Sequence, residues 1–298
     1  MTDWSELERL PADILTQRTS RAVFSARGDL AAPLAAAGFS LNSLAELPAS
    51  ELAGRNPLGE IVVGDQRFLV RYFAHGGLLR WLTGRRYWNP LRPFRELALS
   101  RRLIALGFRV PEVVAARARK SRGGTWELEL VSRRLEGSVD LGSVLLRGSR
   151  GTLAPAIERR CARAFGALVR DLHRREFLHG DLTPRNVLVE GATLPAAEPR
   201  LWLIDLDGSK FVVGLSAELR AKNLSRLWRH VARMQAAGQA PRAPRLCAEF
   251  LRGYGTSGRA RRELVSEISE QFRRARGWHG AAELLERAVG ARRSQPLS

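Results

Sequence analysis

The chain has few of the features that mark secreted or membrane-spanning proteins. It contains two cysteines, Cys161 and Cys247, and their separation fits neither a disulfide framework nor a metal site. The first residues, MTDWSELERLPADILTQ, lack the basic start and apolar core of a secretory signal. The most hydrophobic early run, LAAPLAAAG, is too short to span a bilayer and contains Pro33. We therefore expect a folded protein of a reducing compartment, with Cys161 as a buried free thiol.

Lysine is almost absent, although the chain is strongly basic. It occurs only as Lys120, Lys210 and Lys222, whereas Lys and Arg together number 49 against 30 Asp and Glu, for a net charge of +19. Such a surplus favours polyanionic partners such as nucleic acid, anionic lipid headgroups or phosphorylated glycans. A genome biased towards arginine explains part of it, so charge alone leaves the partner open.

The chain from residue 51 to residue 134 has the pattern of a small β-rich lobe. Two apolar runs around Gly64-Asp65, in GEIVVGDQRFLVRYF, predict a β-hairpin. The next segment, RPFRELALSRRLIALGF, predicts a helix that ends at Gly107. A second strand pair, VPEVVAARAR and TWELELVSRRL, is joined at Gly123-Gly124. Residues 1–50 mix helical patches with Gly and Pro, and we interpret them as an N-terminal extension.

Residues 135–298 are predicted to be mainly helical. An amphipathic helix is indicated by apolar residues at steps of four, four, three and four, namely Ile157, Cys161, Phe165, Leu168 and Leu172. Two short apolar strands, NVLVE and RLWLID, follow this helix, and helical segments continue towards the C-terminus. Together the two parts indicate an α+β fold.

The segment FLHGDLTPRNVLVE, residues 177–190, carries the clearest chemistry. Phosphoryl transfer needs a carboxylate to hold the attacking hydroxyl and hard oxygen ligands to hold Mg²⁺ on the phosphates. Asp181 suits the first role, and Asn186 with Asp205 suits the second. Asn186 begins one apolar strand and Asp205 ends the next. Pairing of these strands would therefore bring the two metal ligands together.

The same segment has the order of residues found in kinase catalytic loops. HGDLTPRN matches H-x-D-L-x-x-x-N, and DLDG at 205–208 stands where D-F-G would be. We expect His179 to pack beside Asp205 and bond to the backbone there. A single acid of this kind commonly caps a turn. Eight ordered positions between an amphipathic helix and a strand that ends in Asp favour catalysis instead.

A cation for the nucleotide phosphates is predicted on the second strand of the first hairpin. Kinases normally place a lysine there and pair it with a helix glutamate, but no lysine precedes Lys120. Arg71 is the best substitute and Glu96 its best partner, while an exposed strand arginine is the alternative. Gly54 and Gly59, in AGRNPLGEIVV, would flank a glycine-rich loop over the phosphates of ATP.

A resemblance to the lipopolysaccharide core kinases, and within them to the kinases of 3-deoxy-D-manno-octulosonic acid (Kdo), covers roughly residues 50–235. It is carried in order by GEIVVGDQRFLVRYFAHGGLLRWLTGRRYW, FRELALSRRLIALGFRVPEVVAAR, FLHGDLTPRNVLV, LWLIDLDGSK and NLSRLWR. The resemblance implies a protein-kinase-like bilobal fold and the use of ATP with Mg²⁺. It also implies phosphorylation of an inner-core sugar, Kdo or possibly heptose, on a lipid A precursor at the cytoplasmic face of the inner membrane.

Site residues follow from this resemblance position by position. Asp181 is implied as the catalytic base, Asn186 and Asp205 as the metal ligands, and Arg71 with Glu96 as the phosphate clamp. An arginine at position 71 agrees with the family pattern.

Two departures from the family pattern bear on the identity of the acceptor more than on the type of reaction. Gly180 stands where many kinases have arginine, and Thr183-Pro184 replaces the residues common in the family. The HGDLT stretch is also similar to small atypical protein kinases.

An aromatic and basic segment predicts contact with an anionic membrane. HGGLLRWLTGRRYWNPLRPF interleaves Trp81, Tyr87 and Trp88 with Arg80, Arg85, Arg86 and Arg92. Such mixing suits rings at headgroup level and arginines on lipid phosphates. The alternative is that the aromatic side chains pack beneath the small lobe while the arginines are solvated.

Two other functions are also compatible with these residues. An atypical protein kinase or a small-molecule phosphotransferase would use the same loop for a different acceptor. A non-catalytic kinase-like scaffold would bind polyanions through its charge, but the complete set of Asp181, Asn186 and Asp205 argues against it. The sequence contains no dedicated nucleic-acid module, so no nucleic-acid partner is expected.

Overall fold

The computed structural model describes the chain as two compact units, Met1–Glu136 and Gly137–Ser298. The described residues are 4–43, 47–51, 58–74, 86–149, 151–191, 198–239, 243–255 and 258–274. Among these residues, no helix combines the length and the apolar composition that crossing a bilayer would require.

The first unit is built on a seven-stranded antiparallel sheet. Its elements are β1 (Ile14–Arg18), β2 (Ala22–Arg27), α1 (Gly28–Ala36), β3 (Leu58–Val63), β4 (Gln66–Tyr72), β5 (Arg86–Tyr87), α2 (Arg92–Ala105), β6 (Val113–Lys120) and β7 (Trp126–Arg133). The strand order is β1-β2-β6-β7-β4-β3, with β5 also paired to β7.

Both predicted hairpins are confirmed. Strands β3 and β4 pair from Val63–Gln66 outwards, and Gly64 at the turn has a φ of 60°. Strands β6 and β7 are joined through Gly123 and Gly124, with φ of 69° and 74°. Positive φ is costly for residues with a Cβ, so glycine at these turns allows the strands to reverse.

The sheet has an apolar layer on each face, because successive strand residues point to opposite sides. One layer joins strand residues such as Leu128 and Leu130 to Phe94 and Leu97 of α2. The other joins strand residues including Val131 to side chains of α1 and to Phe39. The predicted helix over residues 92–108 is therefore confirmed as α2, and it covers one face of the sheet.

Strands β1 and β2 belong to this sheet, although the pattern of residues 1–50 indicated only an N-terminal extension. Strand β2 pairs with β6 over Ala22–Ala26, and all of its residues except the last are buried. Ion pairs also hold the N-terminal residues: Arg101 contacts Asp13 at 2.5 Å, and Arg27 contacts Glu112 at 2.6 Å. Residues before position 51 thus supply two strands and a helix to the first unit.

The second unit is mainly helical. Its elements are β8 (Ser138–Asp140), α3 (Leu141–Ser149), α4 (Pro155–Arg174), β9 (Phe177–Leu178), β10 (Val187–Glu190), β11 (Leu201–Leu203), β12 (Lys210–Phe211), α5 (Ala217–Ala236), α6 (Ala243–Tyr254) and α7 (Gly258–Arg274). The strands form two small sheets, β11-β10-β8 and β12-β9.

The predicted amphipathic helix is confirmed as α4. One side of α4 packs closely on α6. Phe165 meets Phe250 edge to face, with ring centroids 5.3 Å apart. At Gly166 and Gly253, a Cβ would overlap the backbone of the opposite helix. Cys161 of α4 is fully buried, and burial raises the pKa of its thiol to about 11. The predicted buried free thiol is confirmed.

Candidate active site

Asp181 and Asn186 lie together in the segment between β9 and β10. A 3-10 turn over Pro184–Asn186 directs the chain so that Asn186 lies next to Asp181. The Asn186 amide donates from Nδ2 to the Asp181 backbone oxygen at 2.7 Å and to its Oδ2 at 3.0 Å. The five-residue spacing therefore has a local cause, because the asparagine closes the loop and orients the aspartate carboxylate. Asn186 uses its Nδ2 for these bonds, so its Oδ1 is the hard oxygen that it can offer to a cation.

His179 connects this loop to the segment that carries Asp205. Its Nε2 lies 3.0 Å from the backbone oxygen of Ile204, and its Nδ1 accepts from the N–H of Asp181 at 3.2 Å. A carbonyl can only accept and an amide N–H can only donate, so the ring is the neutral Nε2–H tautomer. The predicted structural role of His179 is confirmed, since it bonds to the backbone directly before Asp205.

Electrostatics around His179 agree with this protonation state. Burial lowers the pKa of the imidazole, and the negative charges of Asp205 and Asp181 oppose that shift. Both carboxylates therefore lie within electrostatic reach of one buried ring. Desolvation exceeds their effect, so the ring stays neutral at pH 7.

Asp205 has an unusual backbone conformation. Strand β11 ends at Leu203, and the next residue, Ile204, donates its N–H to the backbone oxygen of Asn186 at 3.0 Å. Asp205 then adopts a φ of 58°. Non-glycine residues in the left-handed region are uncommon and cluster at functional sites. Strand pairing and this turn place Asp205 after the strand that neighbours Asn186, as the sequence predicted.

Gly180 is required by the packing of the two segments. Its N–H donates to Ser209 Oγ at 2.8 Å. A Cβ at this position would overlap the backbone oxygen of Asp207 and lie 2.8 Å from the nitrogen of Ser209. A larger side chain such as arginine has no room at this position. Ser209 has no predicted role in the sequence, although its place directly after DLDG is the signal that could have indicated it.

The oxygen donors at this site fit a magnesium ion. Asn186 and Asp205 offer amide and carboxylate oxygens, which are the ligands that Mg²⁺ prefers. Within the described part of the chain, no three His, Cys, Asp or Glu side chains form a metal-binding cluster. Mg²⁺ is usually held by one or two carboxylates plus substrate phosphates, so a small protein donor set suits it.

The first unit contains the predicted pair of Arg71 and Glu96. Arg71 lies near the end of β4, and its Nη2 forms a short ion pair with the Glu96 carboxylate of α2. The Glu96 side chain is 4% exposed and that of Arg71 is 27% exposed. The guanidinium also stacks over Phe73 at 4.5 Å. A guanidinium held on two sides in this way has the chemistry to bind an anion such as a phosphate.

Comparison with known proteins assigns the family. The model of the "Lipopolysaccharide kinase (Kdo/WaaP) family" matches residues 65–254. The chain belongs to this family. The matched range includes Arg71, Glu96, Asp181, Asn186 and Asp205.

Relatives in the lipopolysaccharide kinase family are similar over part of their length. The chain is 31% identical to 3-deoxy-D-manno-octulosonic acid kinase of Haemophilus influenzae (strain 86-028NP), over 54% of this chain and 64% of the relative. It is 31% identical to the enzyme of that name from Photobacterium profundum, over 56% of this chain and 65% of the relative. The chain thus spans slightly less than two thirds of these relatives.

A solved structure, "WaaP in complex with acyl carrier protein", has the same fold. It superimposes with a TM-score of 0.54 at 18% identity, covering 78% of this chain and 89% of that chain. The predicted α+β, kinase-like fold, with a sheet-rich first part and a helical second part, is confirmed by this match and the family assignment.

The other predicted nucleotide and membrane residues are only partly described. Gly59 lies within β3 opposite Val70, where a Cβ would be 3.1 Å from the Tyr72 hydroxyl. Gly54 lies outside the described residues, as do Arg80, Trp81 and Arg85.

The described end of the aromatic and basic segment divides into buried and exposed residues. Tyr87 is buried and meets Phe73 edge to face, with Arg92 stacked over it at 4.7 Å. Trp88 is 79% exposed and Arg86 is also exposed. Core packing thus accounts for Tyr87, whereas Trp88 is available at the surface.

Proposed function

We propose that this chain is an ATP-dependent kinase that phosphorylates a hydroxyl of an inner-core lipopolysaccharide sugar, Kdo or possibly heptose, on a lipid A precursor. The observation that carries the proposal is the connection through His179, which links Asp181 to the segment of Asp205 while Asn186 bonds Asp181. Membership of the lipopolysaccharide kinase family and similarity to Kdo kinases support the acceptor class.

In this proposal, Asp181 is the catalytic base. Its carboxylate orients the acceptor hydroxyl and accepts its proton as the hydroxyl oxygen attacks the γ-phosphorus of ATP and the bond to the leaving ADP oxygen breaks. The Asn186 amide bond fixes the direction of that carboxylate. Asn186 Oδ1 and the Asp205 carboxylate would hold Mg²⁺, which when bound neutralises charge on the phosphates.

Arg71 would bind phosphate oxygens of ATP. Glu96 accepts one side of the guanidinium, and the Phe73 ring supports its face. An arginine held in this way loses less rotational freedom on binding than a mobile surface arginine. Gly54 and Gly59 complete the proposed nucleotide-binding set.

We further propose that the enzyme is peripheral on the cytoplasmic face of the inner membrane. A net charge of +19 would draw it to anionic headgroups. Trp88, 79% exposed, is the residue of the aromatic and basic segment best suited to insert at headgroup level.

Transfer of radiolabel from γ-labelled ATP tests the reaction. The native chain, Asp181→Asn and the surface control Asp171→Asn are compared, with Kdo-lipid A precursor, its heptosylated form and a basic protein as parallel acceptors. We expect label on a glycolipid, a loss of roughly 1,000-fold in Asp181→Asn, and native rates in Asp171→Asn. Label on the basic protein alone would indicate an atypical protein kinase. No transfer with intact ATP binding, or equal rates in all three proteins, would refute the proposed mechanism.

Vesicle flotation tests the membrane contact. Native protein should float with vesicles that contain phosphatidylglycerol and much less with pure phosphatidylcholine. Trp88→Ala should reduce flotation severalfold, whereas Val213→Ala, which removes another exposed apolar side chain, should leave it unchanged. Equal flotation of both variants would place the contact elsewhere on the chain.

A further inference from the structure

The backbone of His179 is held by a residue of a distant helix. Asn223, on α5, donates from Nδ2 to the His179 backbone oxygen at 2.8 Å. The side chain of His179 at the same time contacts the amide of Asp181 and the oxygen of Ile204. This hydrogen bond from α5 therefore holds His179, whose side chain bonds both to Asp181 and to Ile204, the residue before Asp205.

Asn223 is itself oriented by His173 and Tyr254. Since the His179 backbone oxygen can only accept, the amide nitrogen of Asn223 must face it, and Oδ1 must face His173 Nε2 at 3.2 Å. His173 must then carry its proton on Nε2. Its Nδ1 consequently accepts from the Tyr254 hydroxyl, 2.7 Å away.

These groups form one directed chain of hydrogen bonds across three helices. It runs from the Tyr254 hydroxyl on α6, through His173 on α4 and Asn223 on α5, to the His179 backbone oxygen. His173 is 2% exposed and Tyr254 is 9% exposed. Asn223 is partly exposed. The buried His173 and Tyr254 hold each other in one arrangement, because another rotamer of either would leave a donor or acceptor unpaired away from water, and His173 then presents a fixed donor to Asn223.

We propose that Asn223 is a positioning residue for catalysis, oriented by His173 and Tyr254, which holds the 179–186 segment against the Asp205 segment. The proposal rests on the kinase function proposed above. Asn223 acts through His179 and touches neither nucleotide nor acceptor. Its loss should misplace Asp181 relative to its substrate, and displacements of about 1 Å can lower turnover roughly 100-fold.

The first test separates turnover from binding. In Asn223→Ala, kcat per folded molecule should fall roughly ten- to hundredfold, while KM for ATP and for the glycolipid stays within about threefold of native. All proteins are assayed below the onset of unfolding, as monitored by circular dichroism. A merely structural residue would lower the melting temperature and leave kcat of the folded fraction unchanged, and that result would overturn the proposal.

A matched pair at His173 gives the specific control. His173→Gln places an amide N–H near the former Nε2 and can still donate to Asn223 Oδ1. His173→Asn places its amide near the former Nδ1 and loses that donor. We expect Gln to retain kcat within about threefold and Asn to match Asn223→Ala. Equal kcat in the two variants would refute the orientation of Asn223 by His173.

Hydrogen–deuterium exchange tests the positioning without activity. Peptides that cover 179–186 and 204–209 should exchange faster in Asn223→Ala and His173→Asn, but not in His173→Gln. Unchanged exchange in Asn223→Ala would overturn the positioning role even if the enzyme is active. If native protein transfers no phosphate while exchange follows the expected order, the proposed kinase function fails and the positioning network stands.

Discussion

Gly180 packs against the backbone of Asp207 so closely that a Cβ at position 180 would overlap the Asp207 oxygen. Its own N–H donates to Ser209 Oγ at 2.8 Å. The candidate catalytic segment and the DLDG segment thus meet backbone to backbone. Any side chain at position 180 has to push them apart.

Gly180→Ala should therefore lower turnover with little effect on the rest of the fold. Because backbone atoms cannot move aside as flexible side chains do, we expect a loss of roughly 100-fold in kcat. Rates with the glycolipid acceptor and thermal unfolding would be measured together. Gly28→Ala is the matched control, since its Cβ would meet its nearest neighbours at an ordinary 3.5 Å. Native turnover in Gly180→Ala would show that the two segments tolerate separation.

A double-substitution cycle distinguishes two roles of Arg71. Arg71→Met leaves the buried carboxylate of Glu96 without this partner, which should cost about 1–3 kcal/mol of unfolding free energy. Adding Glu96→Leu should recover most of that stability, because the uncompensated charge is removed. The KM for ATP should stay raised in the double variant, since the phosphate ligand is still missing.

The exposed Arg67 on the same strand gives the control for that cycle. Arg67→Met should change neither stability nor KM, as surface ion pairs contribute little. Recovery of the native KM for ATP in the Arg71→Met, Glu96→Leu protein would mean that Arg71 has no part in nucleotide binding.

His173 should make the protein less stable in mild acid. Burial lowers its pKa from 6.5 to about 4 in the folded state, so between these values the unfolded chain binds more protons. Stability consequently falls as the pH decreases through 6.5 towards 4. Between pH 7 and pH 5 this group should contribute a loss of about 2 kcal/mol.

Urea denaturation at pH 7 and pH 5 measures that loss. His173→Gln lacks the titrating ring, so its unfolding free energy should fall by about 2 kcal/mol less than that of the native protein. The same acid sensitivity in both proteins would show that the folded pKa of His173 is not depressed.

Arg117 and Glu129 form a buried ion pair that stabilises the first unit. Both side chains are 4% exposed, and Arg117 also donates to the backbone oxygen of Ser40 at 2.6 Å. Arg117→Met should lower the unfolding free energy by about 1–3 kcal/mol, because the buried Glu129 loses its close partner and keeps only the longer ion pair with Arg119 at 3.6 Å. The exposed Arg21→Met is the control for thermal unfolding. A loss similar to that of the control would show that Arg119 or water compensates the charge of Glu129 in the variant.

Much of the fold could be predicted because its patterns are local. Apolar runs on either side of glycine turns indicated the β3–β4 and β6–β7 hairpins. The glycine after its last turn indicated α2, and the helical spacing of apolar residues indicated α4. The spacing of Asp181 and Asn186 is local as well, since one amide closes one loop. These features depend on neighbours within a few residues, which a pattern of residue types can show.

The missed features depend on partners far along the chain. Strand β2 is only 6 residues long and is stabilised by pairing with β6, about ninety positions later. The strand pattern does not indicate that Arg117 is buried, because its partners Ser40 and Glu129 come from other parts of the chain. Asn223 was part of a predicted helix with no assigned role, because its partners come from α4 and from the segment before Asp181.

The sequence alone determined the family resemblance, the predicted chemistry of Asp181, Asn186 and Asp205, and the pairing of Arg71 with Glu96. Residue types and short spacings are sufficient for these inferences, since each chemical role accepts few side chains. Tertiary structure decided that the N-terminal residues join the sheet, that Gly180 has no space for a side chain, and that Asn223 holds His179. Those outcomes depend on which distant atoms come within hydrogen-bonding or contact distance, and only the folded chain brings them together.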